Sequence, residues 1–251
     1  MSEVRVRFLG TGSPFAPGGR MQSCIVVESD EGQIMLDCGA MALVGMARAG
    51  IEPETIDAVL LTHLHGDHFG GLPFLILQAA LQARDVAARR GPIRIAGPPE
   101  TEGRVRMAIR AFGYEEYVAP AWDAGLVEFV TLEPMRETAI GPARVTAFPV
   151  VHTPEAVALR VAVGGRTIGY SGDTAWTDTL LDVAADTDLF ICLAYTFDSP
   201  TSSMVSHRAI MEHRDRLTCK RLILTHLDAD MHRRAADAEA EVAEDGMIID
   251  L

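Results

Sequence analysis

The chain has 251 residues, 48% hydrophobic and 23% charged, an ordinary globular composition with enough apolar mass to bury a sizeable core. Its formal net charge of −13 argues against a polyanion as the default partner, because nucleic-acid affinity rests largely on phosphate neutralisation by Lys and Arg. No apolar run approaches ~18 residues, so a membrane-spanning helix is not expected.

Residues 4–9 alternate apolar and polar side chains and predict a strand. It runs into a Gly- and Pro-rich loop that opens Gly10-Thr11-Gly12-Ser13-Pro14 and continues to Arg20. The loop is not G-x-G-x-x-G, so a dinucleotide site is not expected. This opening lacks the apolar stretch of a secretory signal, and the expected location is cytoplasmic. Residues 24–28 and 33–37 flank Ser29-Asp30-Glu31-Gly32 as a hairpin ending at Asp37-Cys38-Gly39. A short helix over 41–49 stops at Gly50, and 58–61 is a continuously apolar strand of the kind buried on both faces. After a His-rich turn come a long helix over 72–89, a strand over 93–96 and a helix over 101–112. The arginines of this segment (84, 89, 90, 94, 104, 106 and 110) read as a solvated face.

A strand over 144–151 leads to His152, and the second half then repeats the earlier order. Residues 158–163 and 167–170 form a hairpin around Gly164-Gly165-Arg166, ending at Ser171-Gly172-Asp173. A helix over 178–185, a strand over 189–193, a helix over 208–217 and a strand over 221–224 follow. Leu-Thr-His-Leu occurs after an apolar run in both halves, at 61–64 and at 224–227. This predicts two related βα halves within one domain spanning 1–251, their polar loops meeting at one sheet edge, where ligands collect. The four cysteines are dispersed with no C-x-x-C and read as buried, reduced thiols.

The turn at 61–68 reads Leu-Thr-His-Leu-His-Gly-Asp-His. His63 and His65, two apart, share a face only in extended chain. Gly66 permits a tight bend before Asp67 and His68. Four potential ligands in six residues exceed what one tetrahedral ion takes from one segment, so two can serve one metal and two another. Of the eight histidines, His152 and His226 follow strands, and Asp173 ends the second hairpin. All three are expected at the same edge. His213 and His232 read as surface residues, and Asp228 and Asp230 as loop carboxylates.

The segment 62–68 resembles the H-x-H-x-D-H signature of the metallo-β-lactamase-fold hydrolases. Asp37 in Leu-Asp-Cys-Gly, His152, Asp173 in Tyr-Ser-Gly-Asp-Thr and His226 match that family in its order across the chain. The Gly-Thr-Gly-Ser…Arg20 loop and Gly71-Leu72-Pro73 resemble the branch that contains ribonuclease Z and the cyclic-nucleotide and phosphonate-pathway phosphodiesterases. The resemblance implies an α/β fold, a four-layer αβ/βα sandwich. It implies that His63, His65 and His152 bind one divalent ion, that Asp67, His68 and His226 bind a second, and that Asp173 bridges them. Asp37 would orient a ligand histidine. Imidazole and carboxylate ligands suit zinc, with manganese or iron as rivals.

Two ions roughly 3.5–4 Å apart would hold a bridging water as hydroxide, so no Ser or Cys nucleophile is needed. Asp67 would accept its proton, and His207, in the loop before a helix as in ribonuclease Z-like proteins, would protonate the leaving group. The local wording around His207 departs from the family's H-S-T pattern. The expected activity is a phosphodiesterase acting on a small molecule, without nucleic acid or membrane as partner and compatible with a homodimer. The alternatives are a tRNA 3′-end endonuclease, a lactone or thioester hydrolase, and a metal-binding scaffold without catalysis. Acidic balance and the lack of an evident basic arm after the first motif speak against the endonuclease. Substrate walls are expected from loops at 13–22, 112–122 and 194–206.

Overall fold

Three antiparallel strands begin the chain: β1 (Arg5–Gly10), β2 (Cys24–Ser29) and β3 (Gly32–Cys38). The computed structural model describes residues 3–82 and 91–251. Gly32 at φ 145° makes the tight β2–β3 turn, where a Cβ would strike Asp57. Helix α1 (Ala42–Ala49) is closed by Gly50 in the left-handed region, its N–H bonding back to Ala47 and Met46. Strand β4 (Ile56–Leu60) pairs parallel with β3, and the His-rich turn follows as the single-turn helix α2 (Gly66–Phe69).

Helix α3 runs over Leu72–Gln82; the remainder of the helix expected to 89, with Arg84, Arg89 and Arg90, lies outside the described residues. Strand β5 (Ile93–Gly97), helix α4 (Thr101–Ala111), helix α5 (Glu115–Asp123) and strand β6 (Val127–Thr131) complete the first half. The segment expected as a wall-forming loop at 112–122 is therefore mostly α5, which forms despite Pro120 within it and buries Val118 and Ala121. Three of the expected solvated arginines are ion-paired on the surface: Arg94 with Glu128, Arg106 with Glu102 and Arg110 with Glu115.

In the second half, β7 (Glu137–Ile140), β8 (Ala143–Pro149), β9 (Val157–Val163) and β10 (Arg166–Tyr170) form an antiparallel meander. Helix α6 (Thr179–Ala184), strand β11 (Leu189–Leu193), helix α7 (His207–Glu212), strand β12 (Leu222–Thr225), helix α8 (Ala229–Arg233) and the short strands β13 (Glu241–Val242) and β14 (Ile248–Asp250) follow.

Two seven-stranded mixed sheets result, ordered β14-β1-β2-β3-β4-β5-β6 and β13-β12-β11-β10-β9-β8-β7. Their inner faces share one apolar layer, with Phe8, Ile25, Leu36 and Leu60 from the first sheet and Val145, Leu159, Ile168 and Ile191 from the second. A second cluster lies under α1, α3, α4 and α5, and a third under α6, α7 and α8. Helices, sheet, sheet, helices is the four-layer αβ/βα sandwich that was expected. Among the described residues no helix is long and apolar enough to cross a membrane. All four cysteines are free and buried, and burial pushes the Cys192 thiol up to about 12, so none offers a ready thiolate.

The internal repeat is real but its register differs from the one the sequence suggests. Strand pairing superposes β1 through β6 on β8 through β13 in order, with β14 and β7 as the matching edge strands. Asp37, at the end of β3, and Asp173, just beyond β10, therefore come from matching strands of the two halves. The two Thr-His-Leu segments do not. His63 follows β4, whose counterpart is β11, whereas His226 follows β12, whose counterpart is β5.

Candidate metal centre

His63, His65 and His152 converge through one ring nitrogen each, and Asp67, His68, Asp173 and His226 converge beside them; within each group the ligating atoms lie within 4.8 Å of one another. These are the seven residues singled out in the sequence. They come from the ends of β4, β8, β10 and β12 and from the first turn of α2, so strand termini from both sheets deliver them to one edge.

In the first group, His65 Nδ1 stands 3.1 Å from both His63 Nε2 and His152 Nε2. Asp173 joins the two groups. Its Oδ2 is 3.9 Å from His63 Nε2 and from His152 Nε2 and 3.3 Å from His226 Nε2, while its Oδ1 is 3.3 Å from His68 Nε2. Asp67 Oδ2 lies 3.4 Å from His68 Nε2 and 3.8 Å from His226 Nε2.

Four of the histidines are aimed by a partner at Nδ1, which leaves Nε2 turned to the cluster. His68 Nδ1 donates to Asp37 Oδ2 at 2.7 Å. His63 Nδ1 meets Thr62 Oγ1 at 3.1 Å, and His226 Nδ1 meets Ser23 Oγ at 2.9 Å. His152 Nδ1 donates to the Ser203 carbonyl at 3.2 Å. Asp37 also accepts from the Thr62 amide and hydroxyl and from the Tyr170 hydroxyl, at 2.8 Å for the amide and the phenol. Asp37 (φ 54°) and His226 (φ 59°) both hold left-handed backbone conformations that cost non-glycine residues energy.

Of these helpers, the sequence pointed only to Asp37. Thr62 could have been read from its place before the first ligand. Ser23, Tyr170 and Ser203 reach the site across long sequence separations and leave no local signal.

The electrostatics favour ionised carboxylates and, except at His68, neutral imidazoles; burial disfavours charge on His68, but Asp173 and Asp37 outweigh it and raise its pKa. Burial, and then the neighbouring His68, lower the pKa of His63 and keep it a neutral imidazole. Burial opposes charge on Asp173, but His226 and His68 outweigh it and hold the carboxyl well below the usual carboxylate range. Asp67 is lowered in the same way, chiefly by His68 against its own burial. Asp67 Oδ2, His68 Nε2, Asp173 Oδ1 and His226 Nε2 are all buried without a hydrogen-bond partner. Buried polar atoms left so cost about 1–3 kcal/mol each, and four in one cluster are uncommon in a native interior. A divalent cation is the natural complement to four inward acceptor atoms, so these residues fit a metal.

His207 is not brought into this cluster. It opens α7, where its Nε2 accepts from the Glu239 amide at 3.1 Å and its ring packs on Phe197 with centroids 4.5 Å apart. Its exposure is 2%. The neighbouring serines do other work: Ser206 caps α7 by accepting from Ala209, and the Ser203 carbonyl orients His152. His213 stacks on Trp176, His232 bonds Arg20, Asp228 caps α8 and Asp230 pairs with Arg233. These four serve local structure.

Beside the His63–His65–His152 corner is a cavity of about 350 Å³. Its walls include His63, His65, Pro98, Pro99, Arg104 and Glu155, so the β5–α4 turn and the start of α4 form a side of it. The first and third of the expected wall loops do adjoin the ligands. The Ser13 amide bonds the Leu227 carbonyl, and Ser203 touches His152.

A family model described as anti-Pycsar protein Apyc1 matches residues 4–246. Ribonuclease Z of Mycobacterium bovis is 30% identical over 196 residues, covering 75% of this chain and 69% of that protein. Ribonuclease Z of Haloferax volcanii is 28% identical over 312 aligned positions, covering 99% and 95%. Two solved structures share the fold. The metallo-β-lactamase-fold protein YhfI from Bacillus subtilis has a TM-score of 0.80 at 19% identity over all of both chains. The short form of human tRNase Z has a TM-score of 0.77 at 23% identity over 98% of each.

Proposed function

The chain belongs to the family of the anti-Pycsar protein Apyc1, within the ribonuclease Z- and phosphodiesterase-like branch of the metallo-β-lactamase-fold hydrolases, and from that premise we propose that it is a two-metal phosphodiesterase acting on a small substrate. What carries this is Asp173, whose carboxylate reaches both groups of inward-facing ligand atoms. His63, His65 and His152 hold the first ion in this reading, and Asp67, His68 and His226 the second. Imidazole and carboxylate donors favour zinc over manganese or iron.

When bound, the ions supply Lewis acidity and an attacking water ionised near neutral pH. The protein's own part is geometric. Asp37, Thr62, Ser23 and the Ser203 carbonyl fix the imidazoles before substrate arrives. Asp67, an acceptor kept ionised by its neighbours, takes the proton of the attacking water. Residues 1–251 act as one catalytic unit.

A small substrate is favoured by the net charge of −13 and by a cavity near the small end of the usual ligand-pocket range. The Haloferax volcanii alignment also extends over more positions than this chain has residues, so that relative carries insertions missing here. The second reading is a tRNA 3′-end endonuclease, favoured by the ribonuclease Z relatives. Turnover of bis-(p-nitrophenyl) phosphate, a cyclic nucleotide, a lactone, a thioester and a pre-tRNA by zinc-loaded protein separates the readings. The diesters should dominate. Processing of pre-tRNA at submicromolar protein and physiological salt would instead select the endonuclease.

A further inference from the structure

The cavity beside the ligand histidines holds a cation that the fold does not use. Arg104 lies in the first turn of α4 and lines the cavity together with His63 and His65. Its neighbours along the segment, Arg94, Arg106 and Arg110, are each tied to a glutamate, and Arg106 also lies over the Trp122 ring. Arg104 makes no ion pair, side-chain hydrogen bond or ring contact with any described residue. Among the described residues it is the one Lys or Arg in the wall, which also presents Pro98, Pro99 and Pro154 and the carboxylates of Glu100 and Glu155. Glu100 makes no ion pair with it. Glu100 Oε2 sits back over the start of α4, 3.9 Å from where a Cβ on Gly103 would stand. Nor is Arg104 needed to hold α4, which is anchored by buried Thr101, Val105 and Ile109.

We propose that Arg104 is a substrate-positioning residue, whose guanidinium receives a non-bridging oxygen of the phosphoryl group brought to the His63–His65–His152 corner. The claim rests on the phosphodiesterase reading and says how that class is chosen over uncharged esters. A planar guanidinium offers paired N–H donors that match two phosphoryl oxygens, and it stays charged at every working pH. An uncharged lactone or thioester carbonyl offers no such partner. The cavity's two carboxylates add a second filter: they repel further negative charge beyond the first phosphate. One anion is welcomed and a polyanion is not, in keeping with a small diester.

Phosphate binding tests this without turnover. Zinc-loaded wild type, Arg104→Ala and Arg104→Lys are titrated with inorganic phosphate by calorimetry, and KM and kcat are then measured on bis-(p-nitrophenyl) phosphate and on a lactone. A charge-assisted contact at a partly exposed site is worth roughly a tenfold change in affinity. Arg104→Ala should weaken phosphate binding and raise the diester KM about tenfold each. Arg104→Lys should recover part of both, and kcat and the lactone KM should stay within about twofold. Unchanged phosphate affinity in Arg104→Ala overturns the assignment, as does wild type that binds no phosphate. An equal KM rise on the lactone also overturns it, since that reports cavity shape. If wild type binds phosphate through Arg104 yet turns over only the lactone, the phosphodiesterase reading fails while the anion contact stands.

Discussion

At Asp37 a strained backbone and a fully occupied carboxylate point to the same role. Its left-handed φ costs on the order of 1–3 kcal/mol, and it is offset by bonds from His68, Tyr170 and Thr62 that converge on one buried side chain. Asparagine tolerates that φ but lacks the charge and one acceptor oxygen. Asp37→Asn should therefore fold and lower zinc affinity by roughly 10–100-fold, as loss of a group that orients a metal ligand does. Competition against a chromophoric chelator reads this directly, and unchanged affinity would remove Asp37 from the site's support. His207 behaves differently. Its Nε2 is committed to the Glu239 amide and its ring to Phe197. His207→Ala should cost about 1–3 kcal/mol of stability by removing a buried ring that packs on Phe197 and accepts from the Glu239 amide. Any fall in kcat should be the same for an alkoxide as for a p-nitrophenolate leaving group. A selective loss on the alkoxide substrate would restore His207 as the proton donor.

The elements explain what could be read in advance. The candidate ligands were legible because each sits where an apolar run stops, at a strand end beside a turn, and a strand end can be seen in one sequence. The edge strands were not. β13 has two residues, and β14 is fixed only by pairing with β1 across the chain's length. Helix α5 was hidden by Pro120, whose missing N–H and ring argue against a helix interior. The Thr-His-Leu repeat misled in register because matching letters followed strands that are not counterparts, and only strand order reveals this. Gly172, between β10 and Asp173, tests how tightly the halves are joined. It has φ 54°, and a Cβ there would come within 2.7 Å of Thr62 Cβ. Thr62 bonds both Asp37 and His63. Gly172→Ala should cost at least about 1–2 kcal/mol from the backbone alone. Because the clash falls on Thr62, it should also weaken zinc binding. A stability loss with zinc affinity intact would mean that the halves are packed but not coupled at this point.

For the whole molecule, two sheets closing on one apolar layer bring Asp173 of one half to histidines of both. The site exists only when the halves are assembled, so metal should stabilise the complete fold by binding the native state and not the unfolded chain. On a chain of net charge −13, Arg104 in the cavity by the first ligand group offers a compact anion a place to approach. The most direct measurement is to strip the protein with a chelator, return zinc in steps, and follow bound metal and hydrolysis of bis-(p-nitrophenyl) phosphate on the same samples. The two-ion account predicts binding that saturates near two equivalents per chain, with diester hydrolysis climbing mainly between the first and second; saturation at one equivalent, or no diester hydrolysis at full occupancy, would contradict it.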